Sequence, residues 1–112
     1  MKLYRNRYIA FEVISESIFS ADDIVHCVWR MLLGLFGEVG GSRTNFWLIE
    51  YSPEMGHGIL RCTHTSVDVM KSVLATITEL NRFPLIINVL GVSGTIRGVR
   101  RFSQKQQPEQ RT

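Results

Sequence analysis

The sequence predicts an α+β fold: four strands in one antiparallel sheet, with two helices packed on a single face. Three observations carry that expectation. Two stretches have apolar residues recurring at helical spacing, and four short stretches have strand character. They alternate in the order β-α-β-β-α-β. The link between the second and third strands, Ser52-Pro-Glu-Met-Gly56, is too short for anything but a hairpin. Together these give the ferredoxin-like two-layer sandwich, a split βαβ arrangement.

The first strand is Tyr8-Ile-Ala-Phe-Glu-Val-Ile14. Alternation sends Ile9, Phe11 and Val13 to one face and Tyr8, Ala10 and Glu12 to the other, the pattern of a sheet covered on one side. Ser20 then offers an N-cap, with Asp23 at the third helical position. The helix that follows, from about Ala21 to Phe36, carries Ile24, Val28, Met31 and Leu35 on one stripe, widened by Val25, Leu32 and Phe36. Gly37 is its expected stop, and residues 38–44 read as a loop. The second strand is the aromatic-rich Phe46-Trp-Leu-Ile-Glu-Tyr51; the third, His57 to His64, pairs back on it. Ser66 is placed to cap a second helix running to about Leu80, with Met70, Val73, Leu74, Ile77 and Leu80 as its stripe. Asn81 and Pro84 end it and launch the fourth strand, Leu85–Leu90, which Gly91 stops.

After that strand comes a small-residue turn, Gly91-Val-Ser-Gly-Thr95, whose glycines are expected to present amides to a phosphate or to hold against the sheet the cationic segment that follows, itself expected to be a helical extension. Arg97, Arg101 and Lys105 fall at i, i+4 and i+8 with Arg100 alongside, while Ile96, Val99 and Phe102 take another face. Like charges at that spacing repel, so the stripe is easier to understand with an anion against it, although a solvated basic face has the same spacing. The 112 residues carry a net charge of +3. Residues 97–112 hold five cations against Glu109, or +4, which leaves −1 for residues 1–96. A basic segment on a nearly neutral body points to a polyanion such as nucleic acid. Residues 1–102 read as a single domain with its basic segment, and 103–112 as a polar tail expected to fray.

No catalytic constellation emerges. Gly91-Val-Ser-Gly is one residue short of a G-x-S-x-G nucleophile elbow, and no Gly-Lys-Ser/Thr follows to make a P-loop. Cys62 and His64 share a strand face without a third ligand, so no metal site is expected. Cys27 and Cys62 are read as free thiols of a cytoplasmic chain, although their spacing also allows a disulfide, and no apolar run near 18 residues suggests a membrane span. An RNA-recognition motif would carry aromatics on its third strand; here that strand reads His57-Gly-Ile-Leu-Arg-Cys-Thr-His64. The expectation is a sheet without a stacking platform, and RNA contacts limited to backbone and shape.

Four blocks, in order and at family spacing, carry a resemblance. They are Arg7-Tyr-Ile-Ala-Phe-Glu-Val-Ile-Ser-Glu16, Trp47-Leu-Ile-Glu50, Gly58-Ile-Leu-Arg-Cys62 and Leu90-Gly-Val-Ser-Gly-Thr-Ile-Arg97. From about Arg7 to Phe102 the chain resembles the Pop-type protein subunits of archaeal ribonuclease P, whose eukaryotic counterpart is shared with ribonuclease MRP. The terminal stretches depart from the family pattern.

The resemblance implies a ribonucleoprotein that cleaves the 5′ leader from precursor tRNA, with the active site and its Mg²⁺ held by the RNA and no cofactor bound by the protein. The implied partners are ribonuclease P RNA, precursor tRNA through the holoenzyme, a TIM-barrel protein subunit and other protein subunits, with a second copy of this chain as a candidate. The isolated chain would not be catalytic; the implied role is to bind and stabilise the catalytic domain of the RNA. Its expected RNA contacts are Arg97, Arg100, Arg101, Lys105, Gly91, Ser93, Gly94, Arg7 and Arg43. Phe46, Trp47, Tyr51 and Met55 crowd the second strand and its hairpin; either another packed element of this chain covers them or they form the expected protein-partner surface. A ferredoxin-like regulatory domain for a small ligand, or a protein–protein adaptor without RNA contact, would share the fold.

Overall fold

The structure, a computed structural model, describes residues 5–105, with side chains to Phe102. Its elements are β1 (Asn6–Ile14), α1 (Ala21–Ser42), β2 (Trp47–Ser52), β3 (His57–Thr63), α2 (Val67–Thr76), β4 (Glu79–Leu80), β5 (Phe83–Pro84), β6 (Ile86–Ser93) and α3 (Ile96–Lys105). Of the polar tail expected over residues 103–112, residues 103–105 belong to α3, and 106–112 lie outside the described residues. Strands β2-β3-β1-β6 form one sheet, with every neighbouring pair antiparallel. With β6 as the fourth strand, this is the ferredoxin-like order that the β-α-β-β-α-β pattern predicts.

Helix α1 begins as expected. The Ser20 hydroxyl accepts from the Asp23 amide at 3.1 Å, and the Asp23 carboxylate accepts from the Ser20 amide at 3.2 Å. This reciprocal capping box stabilises the first turn. Gly37 does interrupt the helix, at φ +75°, but the chain resumes helical conformation to Ser42 instead of forming a loop. Thr44 then closes the end by donating its hydroxyl to the Gly41 carbonyl at 2.7 Å.

Helix α2 is shorter than its apolar stripe predicts. It ends at Thr76, because Ile77 turns extended (φ −79°, ψ 113°) within the β-branched run Thr76-Ile-Thr78. Leu80 therefore sits in the small β4–β5 hairpin, whose turn residues Asn81 and Arg82 have φ of 53° and 74°. Ser66 does not cap through its side chain. It accepts from the Thr63 hydroxyl at 2.8 Å, and a 3₁₀ turn, His64–Ser66, leads into α2. Strand β6 also runs past its expected stop: Gly91, Val92 and Ser93 pair with Ala10, Ile9 and Tyr8.

The main core lies between the sheet and α1/α2, with Ile9, Phe11, Ile24, Val28, Leu32, Leu60, Met70 and Val73 buried in it. Phe11 stacks on Tyr51, with centroids 6.3 Å apart. Gly58 is needed beside that pair, since a Cβ there would lie 2.5 Å from the Phe11 ring and 2.9 Å from Tyr51. The basic extension is no loose appendage. It lies on the opposite sheet face, where Val99 is buried with Ala10 and Ile59, and Tyr8, Ile49, Leu90 and Phe102 close around them. The molecule thus has three layers, α1/α2, sheet and α3.

Cys27 and Cys62 are free. Burial pushes the Cys62 thiol up to about 11 from an ordinary 9.0, because a thiolate would lose its hydration there. The folded state therefore keeps a proton that the unfolded chain gives up. Stability from this group is complete below about pH 9 and declines as pH rises towards 11. Replacing Cys62 with alanine should flatten that alkaline limb in chemical-denaturation curves. An alkaline limb of unchanged slope would refute this origin.

Candidate nucleic-acid interface

The site is built on α3. Thr95 starts the helix: its hydroxyl accepts from the Gly98 amide at 3.0 Å, its carbonyl accepts from the Val99 amide at 3.1 Å, and its own amide donates to Ser93 Oγ at 3.2 Å. With Val99 pinned into the sheet, Arg97, Arg100 and Arg101 are exposed. Helical periodicity thus separates the clamped face from the cationic one, as the spacing predicts. Lys105 closes the helix, and its side chain lies outside the described residues.

The arginines are not equivalent. Arg100 Nη2 donates to Glu50 Oε1 at 2.8 Å, and both side chains remain about half exposed. That hydrogen bond, then the Glu50 charge, raises the affinity of Arg100 for its proton. Arg100 therefore comes to any phosphate already holding an anion.

The turn residues divide in the same way. Gly94 is exposed, and a Cβ on it would come no nearer than 3.8 Å, to Arg7 Nη1. Arg7 thereby reaches the turn that feeds α3, while Nη1 also donates to the Asn6 carbonyl at 3.0 Å. Gly91 is different. It is paired with Ala10 beneath Phe102, and a Cβ there would lie 2.5 Å from three ring atoms. Of the two roles expected of Gly91, the structure shows the second: the Phe102 ring lies over it, so this glycine lets the basic segment close onto the sheet. Ser93 is engaged in the helix-starting turn. Arg43 is not part of the turn: it lies at the C-terminal end of α1, on an open cleft of about 620 Å³ shared with Ser42, Asn45, Thr63 and Thr65.

The expected four-residue partner surface does not assemble. Phe46 is 4% exposed and meets Trp29 edge-on, with centroids 5.4 Å apart, so it belongs to the core. Simple alternation would put Trp47, Ile49 and Tyr51 on one face. The β2–β3 register shifts between Leu48 and Glu50, and this bulge returns Tyr51 to the Phe11 side while Ile49 packs under α3. Trp47 and Met55 are exposed but lie at opposite ends of β2 and its hairpin. The larger apolar exposure is on α1, at Leu33, Leu35, Phe36 and Val39. The helical stripe predicts burial for two of these, Leu35 and Phe36, and α1 exposes them instead. By length and composition α1 could cross a membrane, but Ile24, Val28 and Leu32 lie buried in the core.

Two features go beyond the expected set. Arg61 on β3 pairs with Tyr8 and with Trp47, and its buried Nε has no hydrogen-bond partner. Period-two alternation from Ile59 could have placed Arg61 on the α3 face. Charges also sort along the strands. Arg5, Arg7, Arg43, Arg61 and Arg97 gather at the end where α3 begins, against Glu38 and Asp68. Glu16, Asp22, Asp23, Glu54 and Glu79 gather at the other, against Arg30 and Arg82. Among the described residues no three His, Cys, Asp or Glu side chains converge to hold a metal ion.

Comparison with known proteins agrees with this architecture. A chain in the cryo-EM structure of yeast ribonuclease MRP superposes with a TM-score of 0.68 at 13% identity, covering 98% of this chain and 94% of that one, which supports the fold. The protein named ribonuclease P protein component 2 from Pyrococcus horikoshii is 40% identical over 97 residues, covering 87% of this chain and 81% of that one. Its namesake from Pyrococcus furiosus is 42% identical over 98 residues, with the same coverage. The one from Methanobrevibacter smithii is 34% identical over 107 residues, covering 89% of each. The model of the Rpp14/Pop5 family matches residues 7–104, from the first strand into the last helix, and the chain belongs to that family.

Proposed function

We propose that this chain is a protein subunit of ribonuclease P, the ribonucleoprotein that removes the 5′ leader from precursor tRNA, and that it binds the catalytic domain of the RNA through phosphate contacts. The observation that carries this reading is α3. Its apolar face is clamped by Val99 and Phe102, so Arg97 and Arg101 are held outward on a rigid element. A helix fixed this way presents cations to an RNA backbone without first having to order itself. The chemistry belongs to the RNA, whose Mg²⁺ ions would assist phosphodiester hydrolysis. This chain would neutralise phosphates and hold the RNA's folded geometry, in the cytoplasm. The exposed α1 residues Leu33, Leu35, Phe36 and Val39 offer the protein-facing side, for the TIM-barrel subunit or a second copy of this chain.

The test is the salt dependence of RNA binding. Replacing both Arg97 and Arg101 with alanine should flatten the slope of log K against log salt by about 0.7–0.9 per lost contact. Replacing Arg100 should flatten it less, because Glu50 already neutralises it. A slope unchanged in the double variant would remove α3 from the interface.

A further inference from the structure

One row of side chains crosses the outer sheet face at the end where α3 begins. Ser93, Tyr8, Arg61 and Trp47 are successive cross-strand partners on β6, β1, β3 and β2. Tyr8 packs against the small cluster under α3, which fixes the row on that side of the sheet. Helix α3 covers the next row along, where Ala10 and Ile59 are buried, and leaves this one open: Trp47 is 57% exposed. Beside Trp47, the buried Arg61 Nε lacks an acceptor. A large indole left in water next to an unsatisfied guanidinium donor is unfavourable on both counts. An aromatic plane attached to a hydrogen-bond acceptor would cover the indole and place the acceptor beside the half-buried Arg61.

We infer that the Tyr8–Arg61–Trp47 row receives an unpaired nucleotide of the RNA, its base stacking on Trp47 and its acceptor groups meeting Arg61. The inference rests on the proposed function and deepens it, by specifying single-stranded RNA at this end of the sheet. Charge favours RNA over a protein occupant. Arg7 and Arg97 stand at the same end, and Glu50, the acid of the neighbouring row, is engaged by Arg100. Stacking on an aromatic is tolerant of sequence because every base has a π-face. The absence of aromatics on β3 therefore does not exclude it, since the aromatic here comes from β2.

Two RNA hairpins serve as probes, one blunt and one with a short unpaired extension, titrated against the full chain. The wild type should prefer the extended hairpin. Trp47→Ala should weaken binding to the extended hairpin by roughly 5- to 100-fold and leave the blunt one unchanged, while Trp47→Phe should retain most of the preference. The extended hairpin should quench wild-type tryptophan emission, but not that of Trp47→Phe, in which Trp29 remains. Equal affinity of the wild type for both hairpins, or a Trp47→Ala variant matching it on both, overturns the inference. So does a Trp47→Ala variant that binds both RNAs normally but loses a protein subunit on co-purification. The Arg97→Ala/Arg101→Ala variant, run alongside, separates the two ideas. If it binds both hairpins as the wild type does, the α3 phosphate reading fails; a Trp47 effect that persists beside it sustains the stacking site.

Discussion

Replacing Gly91 with valine should lift α3 from the sheet. No side chain fits between strand β6 and the Phe102 ring, since a Cβ alone would come within 2.5 Å of three ring atoms. Overpacking of this kind costs about 1–3 kcal/mol, which in a domain of this size lowers Tm by roughly 5–15 °C. The second effect is functional. With Phe102 displaced, Val99 loses its seat and the arginines lose their fixed orientation, so RNA affinity should fall as well. Gly94→Val is the matched control, because a Cβ at that position has only Arg7 at 3.8 Å as a neighbour. It should leave Tm close to wild type, and any loss of RNA binding would then report on the turn surface itself. Equal Tm values for the two variants would show that the Phe102 contact does not hold α3 down.

Replacing Phe11 with alanine should be the most damaging single change to the main core, at about 3–5 kcal/mol. Phe11 is fully buried at the centre of β1, stacked on Tyr51 and flanked by a glycine that makes room for its ring. The glycine adds nothing to fill the space once the ring is gone, so the cavity should persist. Urea unfolding should show a lower midpoint with an unchanged m-value. A loss below about 1 kcal/mol would mean that the surrounding side chains collapse into the space.

The main layers were legible in the sequence because each rests on a short-range rule. Alternation in Tyr8–Ile14 assigns both faces of β1 correctly, and Ser20 with Asp23 marks the start of α1 to the residue. The local pattern fails where a tertiary contact or one extra residue overrides it. The Leu48/Glu50 register shift moved Tyr51 to the other face, which alternation cannot anticipate. The Asn81-Arg82 turn lacks the glycine that usually announces a hairpin, so from its apolar spacing β4 reads as the end of a helix. The expected interface suffered from the same limit. Spacing shows that Arg97, Arg100 and Arg101 are near one another, but not that Glu50, 50 residues earlier, already holds one of them. It also cannot show that Phe102 closes over Gly91, because that contact exists only once α3 folds back across the sheet.

The sorting of charge along the strands has a consequence for how the molecule meets a polyanion. With an excess of arginines at one end and of carboxylates at the other, the described residues carry an electric dipole roughly along the sheet. In the field of the proposed RNA partner that dipole would experience a torque, turning the α3-starting end forward before contact. Collisions then arrive pre-oriented, and the acidic end is repelled from the same surface, which disfavours reversed docking. Such steering acts on the rate of association far more than on dissociation, by factors of roughly 10 to 1,000 at low salt. It would let a protein with a net charge of only +3 find its place quickly and in a single orientation.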